Sequence, residues 1–312
     1  MATHGIMFHH FHSSNHQTIH CQQQGSIDET QLYQMICYFQ DRKYNILNAD
    51  EYIYKVTHDC VSENDIVFTF DDNLLCQYEV AGPVLEKCGI KGFWFINTMN
   101  LVGEKTDFLE IFRHFRNYAY SSIHDFYNDF FEKVKETLSF EQLNSFNSFN
   151  PNQYLLECPF YSEEDKKFKY CRDELLNYSQ YEDIMFALIK KKEYDWSSFK
   201  NMLWMKEMHI KQLASSGHII GLHSHSHSTT IHKISYEEQY NDYLINKNYL
   251  EEICHTTIVA MSHPCGNYSE DTLKVLGEIG IKIGFLDYLY DSTPASKLLL
   301  PREDHANILK RI

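Results

Sequence analysis

Apolar residues fall along the chain in two alternating rhythms. Runs at 5–8, 66–70, 93–96, 219–222, 257–261 and 281–286 are short and rich in Ile, Val and Phe, and they read as buried strands. Between them, apolar positions recur at three- and four-residue spacing. Leu32, Met35, Ile36 and Phe39 predict a helix over 28–41. A second helix runs from about 74 to 88 and stops at Gly89, and a third ends near Gly217. Ser235 followed by Glu238 is a capping box that opens a helix to about 253, and a further helix covers 269–279 with Gly280 behind it. Strand, helix, strand in this order predicts parallel α/β packing, with chemistry on the loops at the carboxyl ends of the strands.

Residues from about 101 to 205 break the rhythm. They are aromatic and charged, helical at 123–138 and 173–190, and lack strand alternation. This segment reads as a helical insertion between two halves of one α/β domain spanning 1–312. Within it, 140–149 is rich in Asn, Ser and Phe and reads as a loop.

The chain has 312 residues, 43% of them hydrophobic, so it can bury a substantial core. Lys and Arg number 28 against 43 Asp and Glu, a net charge of -15 that offers no broad basic face to nucleic acid. Nine cysteines stand singly with no C-x-x-C pair, which points to free thiols in a reducing compartment. The first residues lack a basic stretch followed by a long apolar one, and no run reaches the roughly 18–20 apolar residues of a membrane span. A soluble, cytoplasmic protein is the expectation.

Three constellations carry chemistry, each directly after an apolar run. In Thr69-Phe70-Asp71-Asp72-Asn73, two adjacent carboxylates at a strand end point in different directions, so one can bind a metal while the other stays free as a base. In Gly221-Leu222-His223-Ser224-His225-Ser226-His227, His223 and His227 can reach one ion if the chain turns after His223. With Asp72 they would form a two-His, one-carboxylate set that leaves positions open for water and substrate. His225 is a spare ligand or an outward-facing residue. In Met261-Ser262-His263-Pro264-Cys265-Gly266, the Pro-x-Gly turn would hold backbone N–H groups in a fixed direction, as an oxyanion requires. Each pattern also has a plain structural reading: a solvated turn, a His-rich loop, a strand-to-helix turn.

Together these motifs resemble the polysaccharide deacetylase, or NodB-homology, family of carbohydrate esterases. Its T-F-D-D motif is matched at 69–72, its H-[ST]-x-x-H motif by His223, Ser224 and His227, and its Pro-aromatic-Gly turn loosely by Pro264-Cys265-Gly266. Phe8-His9-His10 is similar to the Tyr-His-His of its first strand, and 280–285 to a later one. The resemblance covers roughly 5–100 and 206–312. It implies an irregular (β/α) barrel, a divalent metal (often zinc) on Asp72, His223 and His227, and Asp71 as general base. The backbone N–H of Cys265 matches the oxyanion donor. The expected reaction is hydrolysis of the N-acetyl group of an amino sugar, whether a free sugar, nucleotide sugar or oligosaccharide, releasing acetate and an amine.

The sequence also departs from the family pattern. Asn73 stands for the usual Gly, Ser262 for the usual Arg and Cys265 for the aromatic, and no clear L-x-H motif follows. Arg302, after the apolar run 298–300, is expected to take over from the missing arginine and orient Asp71. His305 is then the first candidate to protonate the leaving amine, with His263 and His9 or His10 behind it. The insertion is expected to cap the site, with Trp94, Phe95, Tyr118 and Trp204 as candidate sugar-stacking aromatics or core residues. A deformylase or O-deacetylase would use the same residues. Two other classes stay open: a sugar- or partner-binding protein with a vestigial site, and a metal-chelating protein built on the His cluster.

Overall fold

The computed structural model describes residues 4–15, 18–19, 25–103, 105–156, 161–290 and 292–312. They form two compact units, one from residues up to Asp107 together with Asn201–Ile312, the other from Phe108–Lys200.

The first unit is a barrel of parallel strands. The strands are β1 (His4–Phe8), β2 (Asn45–Ile46), β3 (Asp65–Phe70), β4 (Phe93–Ile96), β5 (Ile219–Leu222), β6 (Ala260–Ser262), β7 (Ile283–Phe285) and β8 (Arg302–Asp304). Their order is β7-β6-β5-β4-β3-β1-β8, with β2 beside the start of β3, and every pair is parallel. A parallel bridge from Phe285 to Leu300, just ahead of β8, nearly closes the ring. Helices connect the successive strands from β1 to β7, and a stretch of turns leads from β7 to β8. The strands expected at 257–261 and 281–286 are shorter and lie at Ala260–Ser262 and Ile283–Phe285.

Side-chain alternation divides the strands between two environments. Phe8 and Phe68 point outward and pack on each other, and Phe68 meets Phe39 of the helix Glu29–Asp41. Val67, Phe93, Phe95, Ala260, Ile283, Phe285 and Leu300 point inward and fill the lower barrel. Tyr52, on the helix Ala49–Thr57, plugs that end, stacking on Phe285 at 5.8 Å. Further along the strands the interior turns polar, and the three constellations sit there.

The helix expected over 74–88 contains a wide π turn at Gln77–Ala81 before it continues as Gly82–Cys88. The turn lets Gln77 reach back, its amide donating to the carbonyls of Asp71 at 2.6 Å and His9 at 2.8 Å.

The second unit is helical, with its own core of Phe112, Phe115, Phe126, Phe130, Phe168, Tyr181 and Met185. Residues 140–149 are not the loop their composition suggests. Phe140–Ser148 is a helix, because Ser139 and Gln142 make a capping box and Phe146 is buried against its unit. Trp94, Phe95 and Trp204 are core residues of the barrel unit, which corrects their candidacy as sugar platforms. Tyr118 is partly exposed and stacks on His114. The seven described cysteines are free thiols, and Cys21 and Cys158 lie outside the described residues. Among the described residues, no helix is long and apolar enough to cross a membrane.

His218, just ahead of β5, accepts the N–H of Gly92 through Nδ1 at 3.1 Å and lies edge-on to Trp94. Burial, with Lys91 nearby, pushes its pKa from the usual 6.5 down to about 4. The folded state needs this ring neutral, so unfolding takes up a proton between those values. The stability it supports is full above pH 6.5 and falls as the pH drops toward 4. Urea unfolding should show a loss of roughly 3 kcal/mol from this group across that window. A His218→Gln variant should have a flatter pH profile, and an unchanged one would show that the ring titrates normally.

Candidate active site

The first constellation leaves β3 with its alternation intact. Thr69 and Asp71 face the barrel interior, while Phe70 faces outward and stacks on Trp94 at 4.4 Å. Asp72 and Asn73 then take positive φ, 77° and 58°, so the chain reverses at the rim. Asn tolerates this left-handed geometry where Gly is usual. Asp71 is 2% exposed and meets the guanidinium of Arg302 as a fork, Nη1 to Oδ1 at 2.7 Å and Nη2 to Oδ2 at 2.6 Å. Ser262 donates to Asp71 Oδ2 at 2.9 Å and accepts from Arg302 Nη2 at 2.7 Å. Arg302 also donates to Thr69 Oγ1 at 3.1 Å and to the Leu286 carbonyl at 2.5 Å, and it lies 5.8 and 5.9 Å from the Phe95 and Phe285 ring centres. Burial pushes the Asp71 carboxyl up, but Arg302, with His223 nearby, holds it below the usual carboxylate range.

The second constellation follows β5. His223 and His227 both turn Nε2 toward Asp72 Oδ1, at 3.1 and 3.0 Å. Positive φ at Ser224 and His227 makes the turn that the four-residue spacing requires. The helix Tyr236–Cys254 holds this loop from behind. Asp242 accepts the N–H groups of His225 and Ser226 at 2.7 and 3.1 Å, and Asn246 accepts that of His223 at 3.2 Å. His225 directs its ring to the Thr98 hydroxyl at 2.9 Å and lies outside the ligand cluster.

The three donor atoms of Asp72, His223 and His227 lie within 4.8 Å of one another, and all three residues are buried. Each imidazole has its other nitrogen engaged: His223 Nδ1 on the Ser262 carbonyl at 2.9 Å, His227 Nδ1 on Asp107 Oδ2 at 2.9 Å. Such bonds fix the tautomer that offers Nε2 as a lone pair, so this donor set fits a divalent ion. Burial opposes the charge on Asp72, but His227 and His9 hold its pKa well below the usual range. Burial likewise opposes charge on His227, which Asp72 and Asp107 nonetheless raise well above 6.5. A cation among these groups would take the place of that proton.

The third constellation follows β6. Pro264–Gly266 is a single 3-10 turn in which Cys265 is exposed and has φ 53°. Gly266 is held so close to Asp287 that a Cβ there would lie 1.9 Å from Oδ1. His263 is fully buried with Nε2 on the Leu298 carbonyl at 2.8 Å, and burial pushes its pKa down to about 4. His9 brings Nε2 to 3.9 Å from Asp72 Oδ2.

His305 does not join this group, which corrects the proton-donor role expected for it. It opens the helix His305–Leu309 on the outer side of β1, stacks on Phe8 at 5.7 Å, and meets the carbonyls of Met7 and Gly25 at 3.3 and 3.0 Å. The strand alternation that turns Arg302 inward leaves His305 against the outer layer.

The nearly closed parallel barrel thus carries an Asp-His-His cluster and a guarded carboxylate side by side at the carboxyl ends of its strands. The sequence profile of one family, "Polysaccharide deacetylase", matches residues 176–284 of the chain, which take in His223, His227 and the third constellation. No curated protein matches the sequence. Among solved structures, the Streptococcus pyogenes deacetylase PplD, in complex with acetate, is similar at a TM-score of 0.56 and 14% identity, over 97% of this chain and 92% of that one. IcaB from Ammonifex degensii is similar at 0.55 and 12%, over 96% and 90%. A de-N-acetylase from Aggregatibacter actinomycetemcomitans is similar at 0.54 and 11%, over 96% and 93%. At these identities the likeness is one of fold.

Asp71 and Arg302 test the site's electrostatics without any assay of activity. An Arg302→Met variant leaves a buried carboxylate without its counter-charge, and urea unfolding should find it less stable by about 3–5 kcal/mol. Adding Asp71→Asn to that variant should recover part of the loss. An Arg302→Met protein as stable as its parent would show the pair to be unimportant to the fold.

Proposed function

We propose that this protein is a metal-dependent deacetylase that hydrolyses the N-acetyl group of an amino sugar, releasing acetate and a free amine. The observation that carries the reading is the convergence of Asp72, His223 and His227 on one point, with Asp71 held separately beside them by Arg302 and Ser262. The family match and the deacetylases of like fold support it. So does the presence of one tight cluster among the described residues, where a chelating protein would gather several.

A divalent ion held by Asp72, His223 and His227, zinc being the first candidate, would supply Lewis acidity that polarises the amide carbonyl. Asp71 is the general base: ionised and unable to turn, it takes a proton from the attacking water. Arg302 and Ser262 are positioning residues that fix both its oxygens. The turn at Cys265 presents its backbone N–H to the developing oxyanion, the role such preorganised donors serve. His9 replaces His305 as donor of the proton to the departing amine, because its ring faces the same cluster from β1's end. Water adds to the carbonyl carbon, the C–N bond breaks, and the nitrogen leaves with the proton from His9. The substrate is an N-acetylated sugar, nucleotide sugar or oligosaccharide.

Acetate release should be screened over N-acetylated sugars of these three kinds, alongside metal content. The parent should hold one ion per chain and release acetate from at least one of them. His223→Ala should lose both the ion and turnover. Asp71→Asn, nearly isosteric, should keep the ion and lose about 100-fold or more in kcat. A parent that binds such sugars without releasing acetate would establish a binding protein in place of an enzyme.

A further inference from the structure

The two histidines of the cluster are supported in chemically different ways. His223 gives its Nδ1–H to a neutral acceptor, the Ser262 carbonyl, at 2.9 Å. His227 gives its Nδ1–H to a carboxylate, Asp107 Oδ2, also at 2.9 Å. Asp107 is itself buried, 5% exposed, and is placed with care. Its backbone N–H donates to Asn100 Oδ1 at 2.9 Å, and the amide of the fully buried Asn97 donates to the same Oδ2 at 3.3 Å.

We propose that Asp107 is a positioning residue for the metal centre that sets how tightly the protein holds its ion, by charging His227 from behind. This rests on the reading of Asp72, His223 and His227 as ligands. A buried carboxylate has to be stabilised by donors, and here the donors include a ligand imidazole and Asn97. An imidazole that donates to an anion is a stronger base at its other nitrogen than one that donates to a carbonyl. A divalent cation then meets two buried negative charges: Asp72 directly, and Asp107 through the ring of His227. Their sum balances the ion's charge in a place with little water, where an unbalanced one would be expelled. The site is therefore built for retention of the ion, more than the three ligands alone would give.

Affinity for Zn²⁺ measured by competition with a chromogenic chelator tests this without any substrate. Asp107→Asn keeps the size of the side chain and removes its charge, and should weaken Zn²⁺ binding about 10- to 100-fold. The d–d absorption of the Co²⁺-loaded protein should shift as well, since the donor strength of His227 changes. Asp65→Asn is the control: it neutralises another buried carboxylate of the same barrel, one that pairs with Lys55 at the start of β3 and lies outside the ligand cluster. Its effect should be less than threefold, with the Co²⁺ spectrum unchanged. An Asp107→Asn affinity within threefold of the parent overturns the proposal, as does an equal loss in Asp65→Asn. Should Asp107→Asn fail to fold, Asn97→Ala decides: it frees Oδ2 to turn from His227, and parental affinity in that variant overturns the proposal. A parent that takes up no Zn²⁺ at all overturns the ligand assignment itself. That outcome is told apart because the first needs a parent that binds.

Discussion

A carboxylate held almost wholly out of water needs a cation, and the Asp71–Arg302 pair governs much of the barrel around it. Arg302 comes from β8, so that short strand must lie beside β1, with Gly5 opposite Arg302 in register. Gly5 leaves the arginine its room: a Cβ there would lie 3.0 Å from Arg302 Cγ and 3.3 Å from its Cδ, so the side chain would have to shift by a few tenths of an ångström. The guanidinium rests near Phe95 and Phe285 where the apolar lower barrel gives way to the polar upper one. Ser262 and Thr69 complete the donors and acceptors around the fork. Ser262 is small enough to sit between the two charges, donating to one and accepting from the other.

The same division of the barrel explains how the ligand loop keeps its shape. Two residues in it, Ser224 and His227, have positive φ, which costs free energy unless the surroundings impose it. The helix Tyr236–Cys254 imposes it through Asp242 and Asn246, four residues apart and therefore on one face. Asn246 also donates to the Ile96 carbonyl and the Thr98 hydroxyl, so one buried amide ties the ends of β4 and β5 together. A polar stripe on a buried helix face thus does here what apolar packing does elsewhere in the core.

Much of this was legible in the sequence where a pattern was repeated or bounded. Apolar runs gave the strands, capping pairs gave helix starts, and the Asp-Asp and His-x-x-x-His spacings gave the cluster. Arg302 was legible by elimination, as an arginine after an apolar run late in the chain. Asp107 and Asn246 were not, because a lone buried polar residue has no period and its partner lies far off in sequence. His305 misled for the opposite reason: closeness to Arg302 along the chain says nothing about side, since neighbouring strand residues face opposite ways and the helix that follows turns outward. The helix at 140–148 was hidden by weak helix formers, and its capping box was the signal to read.

Asp71 and Arg302 stand 231 residues apart in the chain. Closing a loop of that length is entropically unfavourable, so the contact between β3 and β8 has to be held by strong interactions, and a buried carboxylate gripped by a guanidinium fork supplies one. The pair works as a clasp that fastens an early stretch of the chain to a late one.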